Sequence, residues 1–396
     1  MAFLSIHSSP LGQAGARDTG GMSTYLLGLS GALGRQGHLV DLYTRAVNPG
    51  QAEILEIATN VRLIQVNDAF GSPAKNELYD HLPAIADKID IFCQRTGSVY
   101  GIIFSHYWLS GCAGLILQQR WKVPHLMMFH TLGLAKNEAC QGENEPQLRI
   151  DEEEALARGS DRIIAAAKQE KEKMLFYYGL PPEKVTVIPS GIDRDLFRPG
   201  DWVKAKLQLG FAKEKLILYA GRIEPVKGLD LLIKAAALLP AEENYRLLII
   251  GGDDLNSPLV QRLKEISAEL GIAPKVIFKG LVKHDQLSLY YNAADVTVLP
   301  SAYESFGLVA LESIACGTPV VAGPVGIIPE LVAPTGQGAP CLLVTDRNPA
   351  SWAAAIRQAF LLPKPISPTA IEAALAPFSW PAIAGRLAAE CQSLID

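Results

Sequence analysis

No stretch of the 396-residue chain reaches the roughly eighteen consecutive apolar residues that a membrane-crossing helix needs. Its start, MAFLSIHSSP, lacks the charged leader region and long apolar run of a signal peptide, so the expected location is cytoplasmic. The six cysteines, Cys93, Cys112, Cys140, Cys316, Cys341 and Cys391, are widely spaced with no CxxC, which argues against a zinc knuckle or a disulfide framework and for buried thiols. Basic residues are not in excess: 36 Lys plus Arg stand against 41 Asp plus Glu, for a net charge of -5. Neither half therefore offers a basic surface for nucleic acid. Long polar tracts are missing as well, and 49% hydrophobic with 19% charged residues is the composition of a folded chain.

What is present is an alternation of short apolar runs and helical stretches. Phe3–Ile6, a Gly-rich loop, a helical segment from about Met22 to Arg35 and a second run at Leu39–Thr44 form a β-loop-α-β unit. Further strands are expected at Val61–Val66, Gly101–Ser105, His125–Phe129, Arg162–Ala166 and Val185–Ile188. A second series follows at Leu216–Ala220, Arg246–Ile250, Val276–Lys279, Asp295–Leu299, Pro319–Ala322 and Cys341–Val344. The spacing predicts two α/β domains, residues 1–190 and 201–365, joined by the irregular stretch Ser190–Gly200. A helical segment, 366–396, follows, and its last helix, Trp380–Ile395, is free to return to the first domain. A ligand cleft is expected between the two domains, near the carboxyl ends of both strand sets.

In the second domain, strand 216–220 runs into Gly221-Arg-Ile-Glu-Pro-Val-Lys-Gly228. Arg222 and Lys227, five residues apart beside a helix N-terminus, suit a diphosphate: a planar fork and a point charge. On local sequence alone they read equally as a surface pair flanking an ordinary βα loop. Glu304 and Glu312, in Glu304-Ser-Phe-Gly-Leu-Val-Ala-Leu-Glu312, follow strand 295–299. With a helix starting near Phe306 they lie up to roughly 12 Å apart, too far to share a proton, and fit two anchors on a long ligand. Locally, Glu304 also reads as a helix-dipole carboxylate and Glu312 as a solvent-facing one.

In the first domain, Gly20 and Gly21 of Asp18-Thr-Gly-Gly-Met22 allow close backbone approach to a phosphate or sugar, without the GxGxxG pattern of a nicotinamide site. His130 ends strand 125–129, and His106 and Tyr107 end strand 101–105. Taken alone, Lys75 and Arg149 read as solvated surface cations. Asp193-Arg-Asp195 has a DxD form but falls in the hinge, and Asp253 and Asp254 read as loop residues, so no dedicated metal site is expected.

In combination and order, these pieces resemble the retaining glycosyltransferases of family four, which have the GT-B architecture of two facing Rossmann-like domains with an interdomain cleft. The resemblance spans nearly the whole chain: Gly20-Gly21, His130, Val187-Ile-Pro-Ser-Gly-Ile-Asp193, the Gly221–Gly228 loop and the E-x7-E pair. It implies that Arg222 and Lys227 hold the donor diphosphate, that Glu312 binds ribose, and that Glu304 binds sugar hydroxyls beside the Ser305, Phe306, Gly307 and Leu308 amides. It also implies that His130 lines the sugar site and that no metal is obligatory; magnesium is compatible but nothing indicates it.

The first domain is similar to the branch that glycosylates phosphorylated acceptors, inositol-phosphate N-acetylglucosaminyltransferases with sucrose-phosphate synthases as relatives. The similarity lies in His7–Leu11, Asp18–Met22, Lys75 with Glu77-Leu78, His106–Gly111 and His130–Leu132. That likeness implies an acceptor site of His7, Asp18, Lys75, Tyr107, Thr131 and Arg149. Ser23 stands where the branch has Asn, and Glu143–Arg149 matches it only loosely. The expected reaction moves a hexose or N-acetylglucosamine from a UDP-sugar to a phosphorylated polyol or sugar such as inositol phosphate. Alternatives are a sucrose-phosphate synthase-like or a lipid- or glycan-directed mannosyltransferase activity and, from another class, nucleotide-sugar epimerisation. Peripheral membrane contact and a homodimer are compatible with the sequence.

Overall fold

The computed structural model describes residues 1–12, 21–46, 50–67, 77–139, 145–332 and 340–396. The chain divides into two compact units. One comprises Met1–Gly12, Gly21–Gly191 and Trp380–Asp396, and the other is built from Ile192–Ser379. The C-terminal tail thus divides, residues 366–379 standing with the second unit and 380–396 with the first.

The first unit is built on an eight-stranded sheet of β1 (Ala2–Leu4), β2 (Val40–Arg45), β3 (Ile54–Ala58), β4 (Val61–Val66), β5 (Ile103–His106), β6 (His125–Met128), β7 (Arg162–Ala165) and β8 (Val185–Val187). Their order is β3-β4-β2-β1-β5-β6-β7-β8, and all pairings are parallel except β3 against β4. The inner strands are short apolar runs buried along their length, as parallel strands covered on both faces must be. Helix Gly21–Arg35 carries Gly28, where a Cβ would lie 2.2 Å from the Trp380 ring. That missing side chain lets helix Trp380–Ile395 lie against this unit, where Gln36 donates to the Pro381 carbonyl and Arg386 to that of Val187.

The second unit holds six parallel strands: β9 (Lys215–Ala220), β10 (Tyr245–Ile250), β11 (Val276–Gly280), β12 (Val296–Leu299), β13 (Val320–Ala322) and β14 (Cys341–Leu343). Their order is β11-β10-β9-β12-β13-β14. Its core gathers Ile217, Leu232, Leu247, Val298 and Trp352, whose indole Nε1 donates to the Asp346 carbonyl.

Each sheet reverses its direction of strand addition once. In the first unit the chain builds outward from β1 to one side and from β5 to the other; in the second, from β9 and from β12. Loops at the carboxyl ends of the two strands flanking such a reversal diverge and leave a crevice where open α/β sheets take their ligands. Cys93, Cys316, Cys341 and Cys391 are buried free thiols and Cys112 is half-buried; Cys140 lies outside the described residues. No described helix is long and apolar enough to cross a membrane.

Candidate functional site

In the second unit the reversal point is flanked by the loops after β9 and β12, the two that carry the sequence-derived candidates. Tyr219 Oη donates to the Arg222 carbonyl at 2.6 Å, fixing the turn that leaves β9. Arg222 Nη1 lies 2.7 Å from Glu224 Oε1. Gly228 adopts φ 67°, and a Cβ there would stand 2.3 Å from the Pro300 carbonyl, so only glycine lets this loop close on the one after β12. Ala302 N then donates to the Val226 carbonyl at 2.8 Å. Lys227 Nζ meets Glu304 Oε1 at 2.8 Å, and Ser301 Oγ donates to the same oxygen at 2.8 Å. Lys227 and Glu304 keep 14% and 18% of their side chains exposed, enough for a ligand to reach them.

Glu312 sits in helix Leu308–Ala315, which starts two residues later than expected because Gly307, at φ 105°, is still outside it. It is not a solvent-facing helix residue: it is 4% exposed. Tyr291 Oη donates to its Oε2 at 2.7 Å, and His284 Nε2 lies 2.8 Å from Oε1. Phe197 stands edge-on to both supporting rings. Burial alone would lower the His284 pKa, but the Glu312 hydrogen bond and charge, with Asp193 and Asp285 adding to them, raise it above its ordinary value. Ser305 is half-buried, and Phe306 is buried edge-on to Phe378.

In the first unit the loops flanking the reversal follow β1 and β5. His7, after β1, lies 4.3 Å ring to ring from Tyr107, after β5. Tyr107 takes φ 74°, a costly conformation for a tyrosine. The Arg149 guanidinium carbon lies 5.0 Å from the centre of the Tyr107 ring, and Arg149 Nη2 donates to the Thr131 carbonyl and Oγ1 at 2.9 and 3.0 Å. Four of the expected acceptor residues, distant in sequence, are thus in one place. Arg149 is not a solvated surface cation: it is 3% exposed. Its Nε lies 2.7 Å from Glu153 Oε1 and its Nη1 2.9 Å from Glu145 Oε2, while Lys136 Nζ lies 2.6 Å from Glu145 Oε1.

His130, at φ 60°, lies with Nε2 2.9 Å from His106 Nδ1. Burial pushes the His130 imidazole down to about 3 and lowers His106 well below its usual value, so both are neutral near pH 7. Tyr25 packs edge-on against His130 at 5.4 Å. Gly21 opens helix Gly21–Arg35, and Ser23 on it is buried. Asp18, Gly20 and Lys75 lie outside the described residues.

Among the described residues no group of three His, Cys, Asp or Glu is placed to hold a metal ion. Asp193 of the DxD stretch instead accepts from the amides of Asp195 and Leu196, capping a turn, and Asp254 does the same for Asn256. Sequence reasoning missed Ser301, His284, Tyr291 and Phe197, and also Lys136, Glu145 and Glu153. Glu145 and Glu153 stand four residues either side of Arg149, and Ser301 three before Glu304, spacings that could have marked them; Tyr291, His284 and Phe197 reach the Glu312 site only when β-α units pack side by side.

Two Rossmann-like parallel sheets, each with candidate site residues on the loops flanking its reversal point, have the GT-B architecture. Family models agree: residues 204–373 match the model described as glycosyl transferases group 1, and residues 19–196 match that described as glycosyltransferase family 4. The chain belongs to this glycosyltransferase family. It is 39% identical over 370 residues to a D-inositol 3-phosphate glycosyltransferase of Geodermatophilus obscurus, covering 90% of this chain and 81% of that protein. It is 37% identical over 396 residues to a protein of the same name from Mycobacteroides abscessus, covering 98% and 87%. Among solved structures, a sucrose-phosphate synthase from Thermosynechococcus elongatus superposes with TM-score 0.88 at 30% identity, covering 99% of this chain and 98% of that one.

Proposed function

We propose that the protein transfers a hexose or N-acetylglucosamine from a UDP-sugar to a phosphorylated polyol, an inositol phosphate above all, with retention of anomeric configuration. The observation that carries the donor half is the Lys227–Glu304 pair, which joins the two loops flanking the reversal point of the second sheet, with the Arg222–Glu224 pair on the first of those loops. In this reading Arg222 and Lys227 exchange their carboxylate partners for the diphosphate and neutralise it as it leaves. Glu304, released from Lys227, takes sugar hydroxyls; Glu312, with Tyr291 and His284 fixing its two oxygens, presents its remaining lone pairs to ribose. By the family resemblance, the backbone of Ser305–Leu308 is assigned to the donor sugar and phosphate, as are Gly21 and Gly20, the latter outside the described residues.

A half-buried, neutral His130 serves as a hydrogen-bonding wall and not as a base. The acceptor hydroxyl oxygen bonds to the anomeric carbon on the face from which the phosphate oxygen departs, and a phosphate oxygen takes the hydroxyl proton. No metal is required. The acceptor half rests on the names of the relatives and on the clustering of His7, Tyr107, Thr131 and Arg149, to which Asp18 and Lys75 are added by resemblance. The sucrose-phosphate synthase likeness supports a second reading, with fructose 6-phosphate as acceptor.

Release of UDP from UDP-N-acetylglucosamine and UDP-glucose, with D-inositol 3-phosphate, fructose 6-phosphate or neither, tests both. Release that depends on the inositol phosphate and yields an α-linked product from an α-linked donor is expected. Silence with every acceptor, or conversion of the UDP-sugar with none, would overturn the reading.

A further inference from the structure

Among the described residues, the side-chain charges paired around Arg149 balance one another. Lys136 and Arg149 supply two positive charges, Glu145 and Glu153 two negative ones. The two carboxylates are not equivalent. Glu153 is fully buried; its Oε1 accepts from Arg149, and its Oε2 accepts from the Gly133 amide at 2.8 Å and from Tyr178 Oη at 2.9 Å. It is committed to the packing of helix Gln147–Gly159. Glu145 lies at the rim, 17% exposed, and among the described residues its carboxylate pairs with the two cations, one oxygen on each. The Arg149 and Lys136 charges hold its pKa below the usual carboxylate value against the opposing effect of burial, so it stays ionised.

Arg149 stands over the Tyr107 ring and donates to the Thr131 hydroxyl, and the carboxylate that bridges it to Lys136 draws the same charge-assisted hydrogen bonds that a phosphate there would draw. We infer that Glu145 is an internal stand-in anion, which the acceptor's phosphate must displace from Arg149 and Lys136 in order to bind. The inference rests on the acceptor site proposed above and adds to it the residue that sets its affinity. Displacement needs only a side-chain rotation, because the Glu145 amide stays donated to Asn137 Oδ1 at 2.6 Å. The exchange sends a monoanion to solvent and admits a dianion, so the site discriminates by charge: a neutral polyol cannot pull the guanidinium from a carboxylate. The cost is weaker binding of the phosphorylated acceptor than the bare cations would give.

The test compares Glu145→Gln, Glu145→Asp and Arg149→Lys in the full-length protein. It measures binding of inorganic phosphate and of D-inositol 3-phosphate, with the KM for UDP-sugar and the melting temperature alongside. Glu145→Gln keeps the hydrogen-bonding shape and removes the charge; it is expected to bind both phosphates about tenfold more tightly, equivalent to about 1.4 kcal/mol. The UDP-sugar KM and the binding of unphosphorylated inositol should not change, which a merely structural role for Glu145 would not predict. Glu145→Asp, with the charge kept but withdrawn by one methylene, should fall between, and it carries the test if the Gln variant folds poorly. If Arg149→Lys weakens phosphate binding while Glu145→Gln leaves it unchanged or weaker, the stand-in role is wrong and the site survives. If Arg149→Lys alters neither phosphate, the acceptor site itself falls, and the inference with it.

Discussion

The two reversal points use the same chemistry, an arginine and a lysine facing glutamates, but embed it differently. In the second unit Arg222 and Lys227 each meet one carboxylate and remain partly exposed. In the first, Arg149 is buried between two. An exposed pair gives way to a ligand at little cost in stability, whereas a buried guanidinium is part of the packing. The second unit's cations are therefore poised to work on a ligand, and the first unit's arginine holds its surroundings together as well as presenting charge.

The largest effect should come from the partly exposed Lys227–Glu304 pair. Lys227→Ala and Glu304→Ala are each expected to lower turnover by roughly 100- to 1,000-fold, the scale of losing one group that stabilises developing charge. Melting should shift little. A comparable fall in melting temperature would mean that the pair is structural and would erase the contrast between the units.

Arg149→Leu and Arg222→Leu sharpen the contrast directly. The first strands Glu153 in the interior and should cost about 3–5 kcal/mol of stability. The second removes a partly exposed partner and should cost no more than about 1 kcal/mol. Urea unfolding of both variants decides; equal losses would show that burial is not what separates the two sites.

Tyr291→Phe takes one hydrogen bond from the buried Glu312 carboxylate, worth about 1.5–3 kcal/mol when the acceptor is charged. The KM for UDP-sugar should rise with it, while binding of the phosphorylated acceptor stays as it was.

The smallest effect concerns pH. Because the folded His284 pKa is raised, its contribution to stability is fully present below about pH 6.5, the unfolded value, and is lost as pH rises through the folded value. The stability gap between the parent and His284→Asn should therefore narrow from pH 6 to pH 9. A gap that widened would mean that Glu312 does not govern this imidazole.

Much of this was readable in the chain because parallel strands buried on both faces are plain apolar runs: among the described residues, thirteen of the fourteen strands coincide with such runs to within one or two residues. The exception, β3, is a half-exposed edge strand whose Ile-Leu-Glu-Ile-Ala alternation left no run to see. The Arg222–Lys227 and Glu304–Glu312 segments were legible because each is local, a strand end followed at once by its loop. The partners of those residues were not. Tyr291 and His284 lie 21 and 28 positions before Glu312, and Lys227 meets Glu304 across 77. Arg149 misled most: an arginine in a charged helix reads as surface, and only the packing of Glu153, Tyr178 and Tyr107 around it reveals a buried cation.

We propose a division of labour, with the nucleotide diphosphate held by the second unit and the acceptor phosphate by the first. Calorimetric titration of UDP into the parent, Arg222→Ala and Arg149→Lys proteins tests it most directly. Arg222→Ala is expected to weaken UDP binding by about 10- to 100-fold, the worth of a charge-assisted hydrogen bond, and Arg149→Lys to leave it at the parent value. UDP affinity lost in Arg149→Lys and kept in Arg222→Ala would contradict it.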